Sequence, residues 1–331
     1  MCIRDRYDLS YYWLHRCHHE IKFLWASHVV HHHGEEFNLS TALRQTGTDF
    51  IFKWVFYTPM LFLGVPPEIF VTVAALNLIY QFWVHTEHID RLGILDYIFV
   101  TPSNHRIHHA QNKEYIDANY GGVFIIWDIL FGTFKDEKKE LKPVYGTSKP
   151  LKSWNPFWAN FEVWTEIFKD TWRTKSWKDK LRVWISRPKW RPKDVSEKYP
   201  IQKNDLKVFK KYDPKVTLFA KIFGFGQLAF GSFYSQAFFF NASSMGSTEI
   251  FLIGVNVTMI LVFASLLFEG KAFGYRLEVV RAALVLFAIY FGQFEFMQLT
   301  VLIHALICGV LAGYMTINNK PAEFNEARSE S

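Results

Sequence analysis

Long apolar stretches separated by polar and charged segments dominate the hydrophobicity pattern of the chain. A helix needs about 20 mostly apolar residues to cross the hydrocarbon layer of a bilayer. Six stretches approach or reach this length: Phe50 to Val65, Ile69 to about Val84, Val216 to about Phe240, Ile250 to Phe268, Leu277 to about Phe291, and Phe296 to about Ile317. Because lipid requires every backbone polar group to be satisfied internally, the pattern predicts an all-α fold, an integral membrane helical bundle.

The first two apolar stretches are separated by Pro66 and Pro67, which predict a break between two helices. We therefore expect a helical hairpin at about residues 50–84. Both stretches are short, so the pattern leaves open whether they tilt or insert only in part. The stretch from Leu277 contains Glu278 and Arg281 near its start, which predicts a shorter membrane-embedded part.

Basic charge is concentrated between the apolar regions. Residues 135–215 contain 22 Lys/Arg against 11 Asp/Glu, a net of +11, whereas the whole chain of 331 residues has a formal net charge of +6. The same segment carries Trp154, Trp158, Trp164, Trp172, Trp177, Trp184 and Trp190. Because indole settles at the headgroup level and cations attract anionic lipid, we interpret the segment as interfacial and not as a nucleic-acid-binding surface. The positive-inside rule places it, and the region attached to it, in the cytoplasm.

The pattern divides the chain into four parts. Residues 1–134 form the candidate catalytic region, residues 135–215 the basic segment, residues 216–317 the C-terminal membrane helices, and residues 318–331 a polar tail expected to be disordered. The first six residues contain no apolar signal-peptide core. The start therefore predicts a fragment that lacks an upstream membrane segment.

Histidines are strongly clustered in the first part. Twelve of the thirteen fall between residues 15 and 109. Ten of them form pairs and triplets at helical spacing: His15 and His19; His28, His31 and His32; His85 and His88; His105, His108 and His109. Offsets of three and four residues place side chains on one helix face, so each group can direct two or more imidazoles to one place. Adjacent histidines splay by about 100° around a helix, so one can serve a first metal ion and its neighbour a second.

Ten imidazoles are too many for one ion and suit two ions of about five nitrogens each. Neutral imidazole binds iron, zinc and copper, so these residue types leave the metal open. Cys2, Cys17 and Cys308 are far apart, which argues against a disulfide framework and a thiolate zinc site. A redox site with many ligands and open positions for oxygen favours iron.

Other polar residues near the clusters have weaker patterns. His88 is the weakest of the ten candidate ligands, and His18, His33 and His304 fall outside the pattern and are interpreted as structural. Several carboxylates accompany the clusters: Glu20, Glu35, Glu36, Glu87 and Asp90. Such a group can accept the second ring N–H of a ligating histidine. For each carboxylate, a role as a solvated surface acid or as a helix cap explains the sequence equally well.

The histidine motifs resemble the signature HX3H, HX2HH and HX2HH of the fatty acid hydroxylase and sterol desaturase superfamily. They stand in this order at residues 15–20, 25–32 and 104–109. Within the superfamily the resemblance is greatest to the alkylglycerol monooxygenases, in residues 36–45, in His85-Thr86-Glu87 and in the segment 119–134 with its Asn119-Tyr-Gly-Gly122 motif. The resemblance is close over roughly residues 7–134 and extends beyond them only in membrane character.

The resemblance implies two iron ions, molecular oxygen and an external two-electron donor, which in alkylglycerol monooxygenases is tetrahydrobiopterin. These enzymes hydroxylate the carbon beside the ether oxygen of a membrane lipid, and the hemiacetal collapses to a fatty aldehyde and a glycerol. The three motifs carry the ligand role to eight histidines: His15, His19, His28, His31, His32, His105, His108 and His109. The intermediate element that begins at His85 adds His85 and His88. The residues expected to support the ligands or to line a pocket are Glu20, Glu36, Asn38, Thr41, Arg44, Gln45, Glu87, Asn104 and Asn119.

The sequence leaves open the role of the polar residues after the second motif and the exact function. Asn38, Thr41, Arg44 and Gln45 are hypothesised to line the substrate or pterin pocket, but helix capping by Asn38 or Ser40 and a headgroup-facing Arg44 explain the pattern equally well. A sterol or fatty-acid hydroxylase or desaturase would use the same motifs. A membrane metal-binding protein or zinc transporter is the more distant alternative, although its ligands should lie in mid-helix near the bilayer midplane.

Overall fold

The computed structural model describes residues 2–293 and 295–318, and within these ranges the chain is helical. It contains fifteen α-helices, three short 3₁₀-helices and two isolated β-bridges, with no strand among the described residues. The all-α prediction is therefore confirmed for this part of the chain. Residues 319–331 of the predicted polar tail lie outside the described residues.

Contacts within the chain divide it into two compact units. The first comprises the residues up to 152 together with 158–212, and the second comprises residues 153–157 and those from 213 onward. Eleven helices precede residue 213: α1 Cys2–Glu20, α2 Lys22–Ala26, α3 Val29–His32, α4 Leu39–Ala42, α5 Trp54–Phe62, α6 Pro67–Trp83, α7 Pro102–His108, α8 Ile126–Leu130, α9 Pro156–Arg173, α10 Trp177–Ile185 and α11 Lys193–Lys198. The 3₁₀-helices are Asp49–Ile51, Gly93–Tyr97 and Ala242–Ser244.

Helix α1 packs against the hairpin formed by α5 and α6. Its buried Tyr7 and Leu14 meet Tyr57, Met60 and Val65 in one apolar cluster. This packing holds the C-terminal half of α1, which carries the first histidine pair, at a fixed place over the hairpin.

The break between α5 and α6 lies at the proline pair, as predicted, and both helices are short. Pro66 is the N-cap of α6 and Pro67 its first residue, as expected from the fixed φ of proline. With nine residues α5 is about 13 Å long, and with seventeen α6 is about 25 Å long, both less than the roughly 30 Å of the hydrocarbon layer. Neither helix alone is therefore long enough for a full crossing.

The basic segment is folded onto the second histidine cluster. Val163 and Ile167 of α9 and Val183 of α10 bury their side chains against Ala26 and Val29 of α2 and α3. These helices thus support the short helix that carries the HX2HH motif. Residues 135–152 and 158–212 of the segment belong to the same compact unit as the histidines.

The second unit is built from four long helices: α12 Leu218–Asn241, α13 Ser247–Phe268, α14 Phe273–Tyr290 and α15 Gln298–Asn318. Among the described residues, α13 and α15 are the two helices that are long and apolar enough to cross a membrane. The sequence predicted four membrane crossings in this unit, and α13 and α15 account for two of them. Helix α14 is less apolar because it contains Glu278 and Arg281, which are both buried.

A polar network ties α12, α13 and α14 together inside this unit. Glu278 forms an ion pair with Arg281 and accepts a hydrogen bond from Gln227 Nε2 at 2.9 Å. Arg281 Nη1 donates to Asn256 Oδ1 at 2.7 Å. All four side chains are at most 3% exposed. Each buried charge is therefore paired, as a low-dielectric interior requires.

Candidate metal centre

The structure brings nine of the ten candidate histidines together in two groups. His15, His19, His28, His32 and His108 form the five-histidine group, and His31, His85, His105 and His109 form the four-histidine group. Within each group the candidate ligand nitrogens all lie within 4.8 Å of one another. His88 belongs to neither group and is exposed.

Adjacent histidines of the two HX2HH motifs lie in different groups. His32 belongs to the five-histidine group and His31 to the four-histidine group, and His108 and His109 are divided in the same way. Neighbouring residues on a helix point about 100° apart, which is the geometric reason for this division. The short helices α3 and α7 thus form a wall shared by both groups.

The spacing of the Nε2 atoms fits a metal ion in the five-histidine group. His28 Nε2 lies 3.1 Å from His15 Nε2 and 3.1 Å from His32 Nε2, which in turn lies 3.1 Å from His19 Nε2. Metal–imidazole bonds of about 2.0–2.1 Å place neighbouring ligand nitrogens roughly 3 Å apart. His108 Nε2 is buried with no hydrogen-bond partner among the described residues, as expected for an atom reserved for an ion.

The four-histidine group has the same spacing. His85 Nε2 lies 3.0 Å from His105 Nε2 and 3.3 Å from His31 Nε2, and His105 Nε2 lies 3.2 Å from His109 Nε2. Neither group contains a cysteine or a carboxylate. Nitrogen-only sets of this kind suit iron, zinc or copper.

Backbone carbonyls fix the tautomer of four of these histidines. Nδ1 of His15, His31, His85 and His108 lies 2.8–3.1 Å from the carbonyl oxygens of Tyr120, Arg44, Gln81 and Ala118, respectively. A carbonyl can only accept, so each Nδ1 carries the proton and donates it. The Nε2 lone pair is then left free and points into the group.

Burial keeps the imidazoles neutral. It lowers the pKa of His15 and His31 to about 3 and the pKa of His85 to about 4. The other six histidines of the two groups also have a pKa well below the usual value, first because of burial and then because of their neighbours. Since a metal ligand must be deprotonated, both groups are ready to bind ions at neutral pH.

Two buried aspartates that the sequence analysis did not identify as site residues hold the loop behind the centre. Asp8 accepts hydrogen bonds from the backbone N–H groups of Val123 and Phe124 and from the indole of Trp127, at 2.8–3.0 Å. It is fully buried, and burial raises its pKa. It therefore ties the loop to α1, the helix that carries the first histidine pair.

Asp128 holds the same loop from the other side. Its carboxylate accepts from Tyr120 N at 2.7 Å, from Gly121 N at 2.8 Å and from Thr133 Oγ1 at 2.7 Å. Burial raises its pKa to about 6. The Tyr120 carbonyl that fixes His15 is thus held by a partner more than 100 residues away from that histidine.

Gly122 lies at a close contact between the loop and α1. A Cβ atom at Gly122 would lie 2.8 Å from Tyr11 Cδ1 and 2.9 Å from Asp8 Oδ1. No side chain fits there without displacing the loop. The Gly121-Gly122 pair is the signal in the sequence that could have indicated this close contact.

The polar residues after the second motif form caps and turns. Asn38 caps α4, accepting from Ser40 N at 2.9 Å, while Thr41 Oγ1 donates to the Glu36 carbonyl at 2.9 Å. Gln45 Nε2 donates to Ala42 O at 2.8 Å. Asn38 is therefore a helix cap in this structure, which was the alternative to a role in lining a pocket.

Arg44 contacts the centre through its backbone. Its carbonyl accepts from His31, and its side chain turns back to donate from Nε to the Val30 carbonyl at 2.7 Å. The guanidinium therefore stabilises the HX2HH helix.

Three glutamates have different surroundings. Glu20 accepts from Arg16 Nε at 3.0 Å, and Glu36 pairs with Lys211 on the surface. Glu87 accepts from the Tyr145 hydroxyl at 2.9 Å. Tyr145 in turn stacks on Phe37, whose ring packs against the four-histidine group.

Asn104 and Asn119 shape the backbone around the third motif. Asn104 Oδ1 accepts from Thr101 N and so caps α7, and Asn119 Nδ2 donates to the Asn104 carbonyl at 3.0 Å. Asn119 has a φ of 57°, a left-handed conformation that asparagine tolerates well. Both residues thus orient α7 through the backbone.

The three histidines interpreted as structural lie outside both groups. His18 donates from Nδ1 to the Leu14 carbonyl, and His33 Nε2 lies 3.7 Å from Glu162. His304 stacks on Phe230 in the second unit.

A cavity of about 650 Å³ adjoins the five-histidine group, whose His19, His32 and His108 form part of its wall. The remaining wall contains several charged side chains, and most of them are paired. Asp170 binds Arg191 at 2.7–2.8 Å, and Lys149 lies between Glu162 and Glu166. Apolar side chains, among them Trp25, Val29 and Ile167, also line the cavity, so it suits a ligand with both a polar and an apolar part. Asn38, Thr41, Arg44 and Gln45 are not part of this wall.

The site thus consists of two adjoining groups of neutral, mostly buried histidines, each of which could hold a metal ion, as in histidine-rich metal proteins. Residues 6–133 match the model of the family described as Fatty acid hydroxylase. This segment is therefore similar to that family, and the resemblance seen in its histidine motifs is confirmed.

Individual relatives extend this similarity. The chain is 37% identical over 282 residues to an alkylglycerol monooxygenase of Xenopus tropicalis, with 85% of this chain and 62% of the relative covered. It is 44% identical over 185 residues to the alkylglycerol monooxygenase of Homo sapiens, covering 56% and 41%. An ornithine lipid hydroxylase of Rhizobium tropici is 34% identical over 128 residues, covering 38% and 39%. The chain thus spans less than two thirds of the length of these relatives. No solved structure matches it.

Proposed function

We propose that the chain is the catalytic part of a membrane-bound di-iron monooxygenase that hydroxylates a lipid, with an alkylglycerol ether as the substrate. The observation that carries this proposal is the division of nine neutral imidazoles into two adjoining groups with inward-facing Nε2 atoms. A chain built for one structural zinc ion would need only four ligands.

The five-histidine group would hold one ion and the four-histidine group the other. Bound iron would supply the oxygen-dependent cleavage of an unactivated C–H bond, which amino-acid side chains cannot perform as acids or bases. The protein's own contribution is to hold the imidazoles in one tautomer and to keep bulk water away from them. The Nδ1 hydrogen bonds to backbone carbonyls and the burial of the centre support both roles.

The reaction consumes a two-electron donor. One oxygen atom enters the C–H bond beside the ether oxygen, and the other leaves as water with two electrons and two protons from the donor. A tetrahydropterin provides both electrons and protons when it is oxidised to the dihydro form. The resulting hemiacetal then breaks its C–O bond to give a fatty aldehyde and a glycerol.

The cavity beside the five-histidine group supports a substrate with a polar, uncharged end. A glycerol headgroup or a reduced pterin can hydrogen-bond to the paired charges of its wall without adding net charge. The apolar helices α13 and α15 support a membrane location, and we place the histidine groups on the cytoplasmic side together with the basic segment.

The proposal is tested by purifying the protein in detergent and counting iron and zinc per chain. Oxygen-dependent aldehyde release from an alkylglycerol is then measured with tetrahydrobiopterin. We expect two irons and pterin-dependent aldehyde, both reduced in His108→Ala. His88→Ala is the matched control, because this exposed histidine lies outside both groups. A preparation that binds no second metal ion per chain would overturn the di-iron assignment.

A related lipid hydroxylase or desaturase is the second candidate, favoured by the similarity to the ornithine lipid hydroxylase. Two irons without aldehyde release would support it. The same preparation is then assayed with a sterol, a free fatty acid and an aminoacyl lipid. A zinc transporter is disfavoured because the histidine groups lie in the first unit and not on the apolar helices α13 or α15.

A further inference from the structure

The helices α9 and α10 expose large apolar side chains on the side that faces away from the histidines. Their inner face is buried, since Ile167 and Val183 are at most 1% exposed. On the outer face the exposed fractions are 87% for Trp172, 81% for Trp177 and 75% for Leu181. With Phe168 and Ile185, at 60% and 67%, these residues make up what we call the outer stripe.

The outer stripe is a regular surface. Trp177, Leu181 and Ile185 are spaced by four residues on α10, which places them on one side of that helix. The two helices are joined beside the stripe, because the Phe168 ring lies 5.1 Å from that of Trp184. Lys180 Nζ also donates to the Thr171 carbonyl at 2.7 Å. The residues of both helices therefore belong to one folded surface.

Positive charge surrounds the outer stripe. Residues 168–189 contain eight Lys/Arg against two Asp/Glu. One of the two acids, Asp170, is buried and bound to Arg191, so it does not offset the exposed cations. Lys169, Arg173, Lys175, Lys178 and Arg182 are all exposed. The surface thus combines exposed aromatic and aliphatic groups with an excess of cations.

We propose that the outer stripe lies in the headgroup layer of an anionic bilayer. Indole rings settle at that level, aliphatic side chains reach the acyl boundary, and Lys/Arg bind lipid phosphates. The alternative occupant is a second copy of this chain. Two such faces would bring their excess cations together, so charge complementarity favours the anionic lipid.

This placement has a consequence for the cavity beside the five-histidine group. Arg187, Lys189 and Arg191, which follow α10 directly, form part of the cavity wall. A stripe held in the headgroup layer therefore brings this part of the wall close to lipid headgroups. The surface itself is independent of the proposed function, whereas its role in supplying lipid to the cavity rests on that function.

The test uses the full chain reconstituted in vesicles of phosphatidylcholine and phosphatidylserine. A nitroxide is attached to Leu181→Cys, in a background in which Cys2, Cys17 and Cys308 are replaced by serine or alanine. The matched control is Glu197→Cys, on the exposed surface of α11. Power saturation then compares the access of oxygen, which concentrates in the bilayer, with that of a water-soluble nickel chelate.

We expect the label at Leu181 to be open to oxygen and shielded from nickel, and the label at Glu197 to be open to nickel. Equal nickel access at both positions would overturn the proposal. Dipolar broadening at Leu181 that persists on dilution with lipid would also overturn it, in favour of a second copy. A label at Ile185→Cys repeats the test if Leu181→Cys fails to fold.

A second measurement separates this proposal from the proposed function. Leu181→Glu should make a label on Ile185→Cys more accessible to the nickel chelate, while the number of metal ions bound in the histidine groups stays unchanged. If the labels are shielded but no metal binds, the bilayer surface stands and the di-iron proposal fails. If metal binds and the labels face water, the bilayer proposal fails and the di-iron proposal stands.

Discussion

His15 Nδ1 donates a hydrogen bond to the carbonyl of Tyr120 at 2.9 Å, across 105 residues of sequence. The same Tyr120 donates its N–H to Asp128. The first histidine motif is therefore oriented by a loop that lies beyond the third. This link makes the geometry of the centre sensitive to residues that never contact an ion.

Asp128→Ala should weaken both the fold and the metal centre. It leaves the N–H groups of Tyr120 and Gly121 without their buried acceptor. Each unsatisfied buried donor costs about 1–3 kcal/mol, so the two donors together should lower the free energy of unfolding by roughly 2–6 kcal/mol. Thermal unfolding in detergent and metal content per chain measure the two effects.

The control for this variant is Asp136→Ala, because the half-buried Asp136 side chain pairs with Arg91 and Tyr97 at the surface. It should leave both readouts unchanged. A wild-type metal content and melting temperature in Asp128→Ala would show that the loop does not orient His15.

Gly122→Ala should destabilise the first unit. The added methyl group would meet Tyr11 and Asp8 at less than 3 Å, so the loop must shift away from α1. We expect a cost of about 1–3 kcal/mol in the free energy of unfolding. Gly226→Ala in α12 is the comparison, since its Cβ would meet nothing within 4 Å and alanine favours a helix. Equal melting temperatures for the two variants would refute the close contact.

Replacement of adjacent histidines should affect different ions. His31→Ala removes a nitrogen from the four-histidine group, and His32→Ala removes one from the five-histidine group. We expect each variant to bind one ion more weakly and to keep the other. Chelator titration followed by metal counting and X-ray absorption spectroscopy would reveal two different residual sites. Identical residual spectra would contradict the division of the motif.

Removing one partner of the buried ion pair should cost more than removing both. Arg281→Met leaves Glu278 charged and unpaired among apolar side chains, which typically costs about 3–5 kcal/mol. The double variant Glu278→Met, Arg281→Met removes both charges and should approach wild-type stability. Urea or thermal unfolding of the detergent-solubilised protein gives the comparison. A double variant less stable than Arg281→Met would contradict this explanation.

The candidate histidines could be predicted from spacing, because HX3H and HX2HH repeats place imidazoles on one face of a helix, but the membership of the two groups could not. His88 could not be separated from His85 in this way. The chain leaves α6 just before His85, so a helical offset of three no longer puts the two residues on one face. The prediction of helices and of the proline-broken hairpin had the same local basis.

The supports of the centre could not be predicted because they are long-range. Asp8 precedes its partners Val123 and Phe124 by more than 110 residues, and no periodic pattern connects them. The acceptors for the histidine Nδ1 atoms are backbone carbonyls, which carry no residue signature. Carboxylates beside the motifs were the natural candidates for this role, yet Glu36 and Glu87 bind Lys211 and Tyr145 instead.

The use of backbone carbonyls to hold the imidazoles affects how the protein can change in evolution. Every amino acid supplies the same carbonyl, so the side chains of Gln81, Ala118 and Tyr120 can be exchanged while the acceptor remains, provided that the loop keeps its path. Orientation of the ligands is therefore robust to mutation at these positions. The surroundings of the ions, and with them reactivity and substrate preference, can diverge without loss of the metal centre.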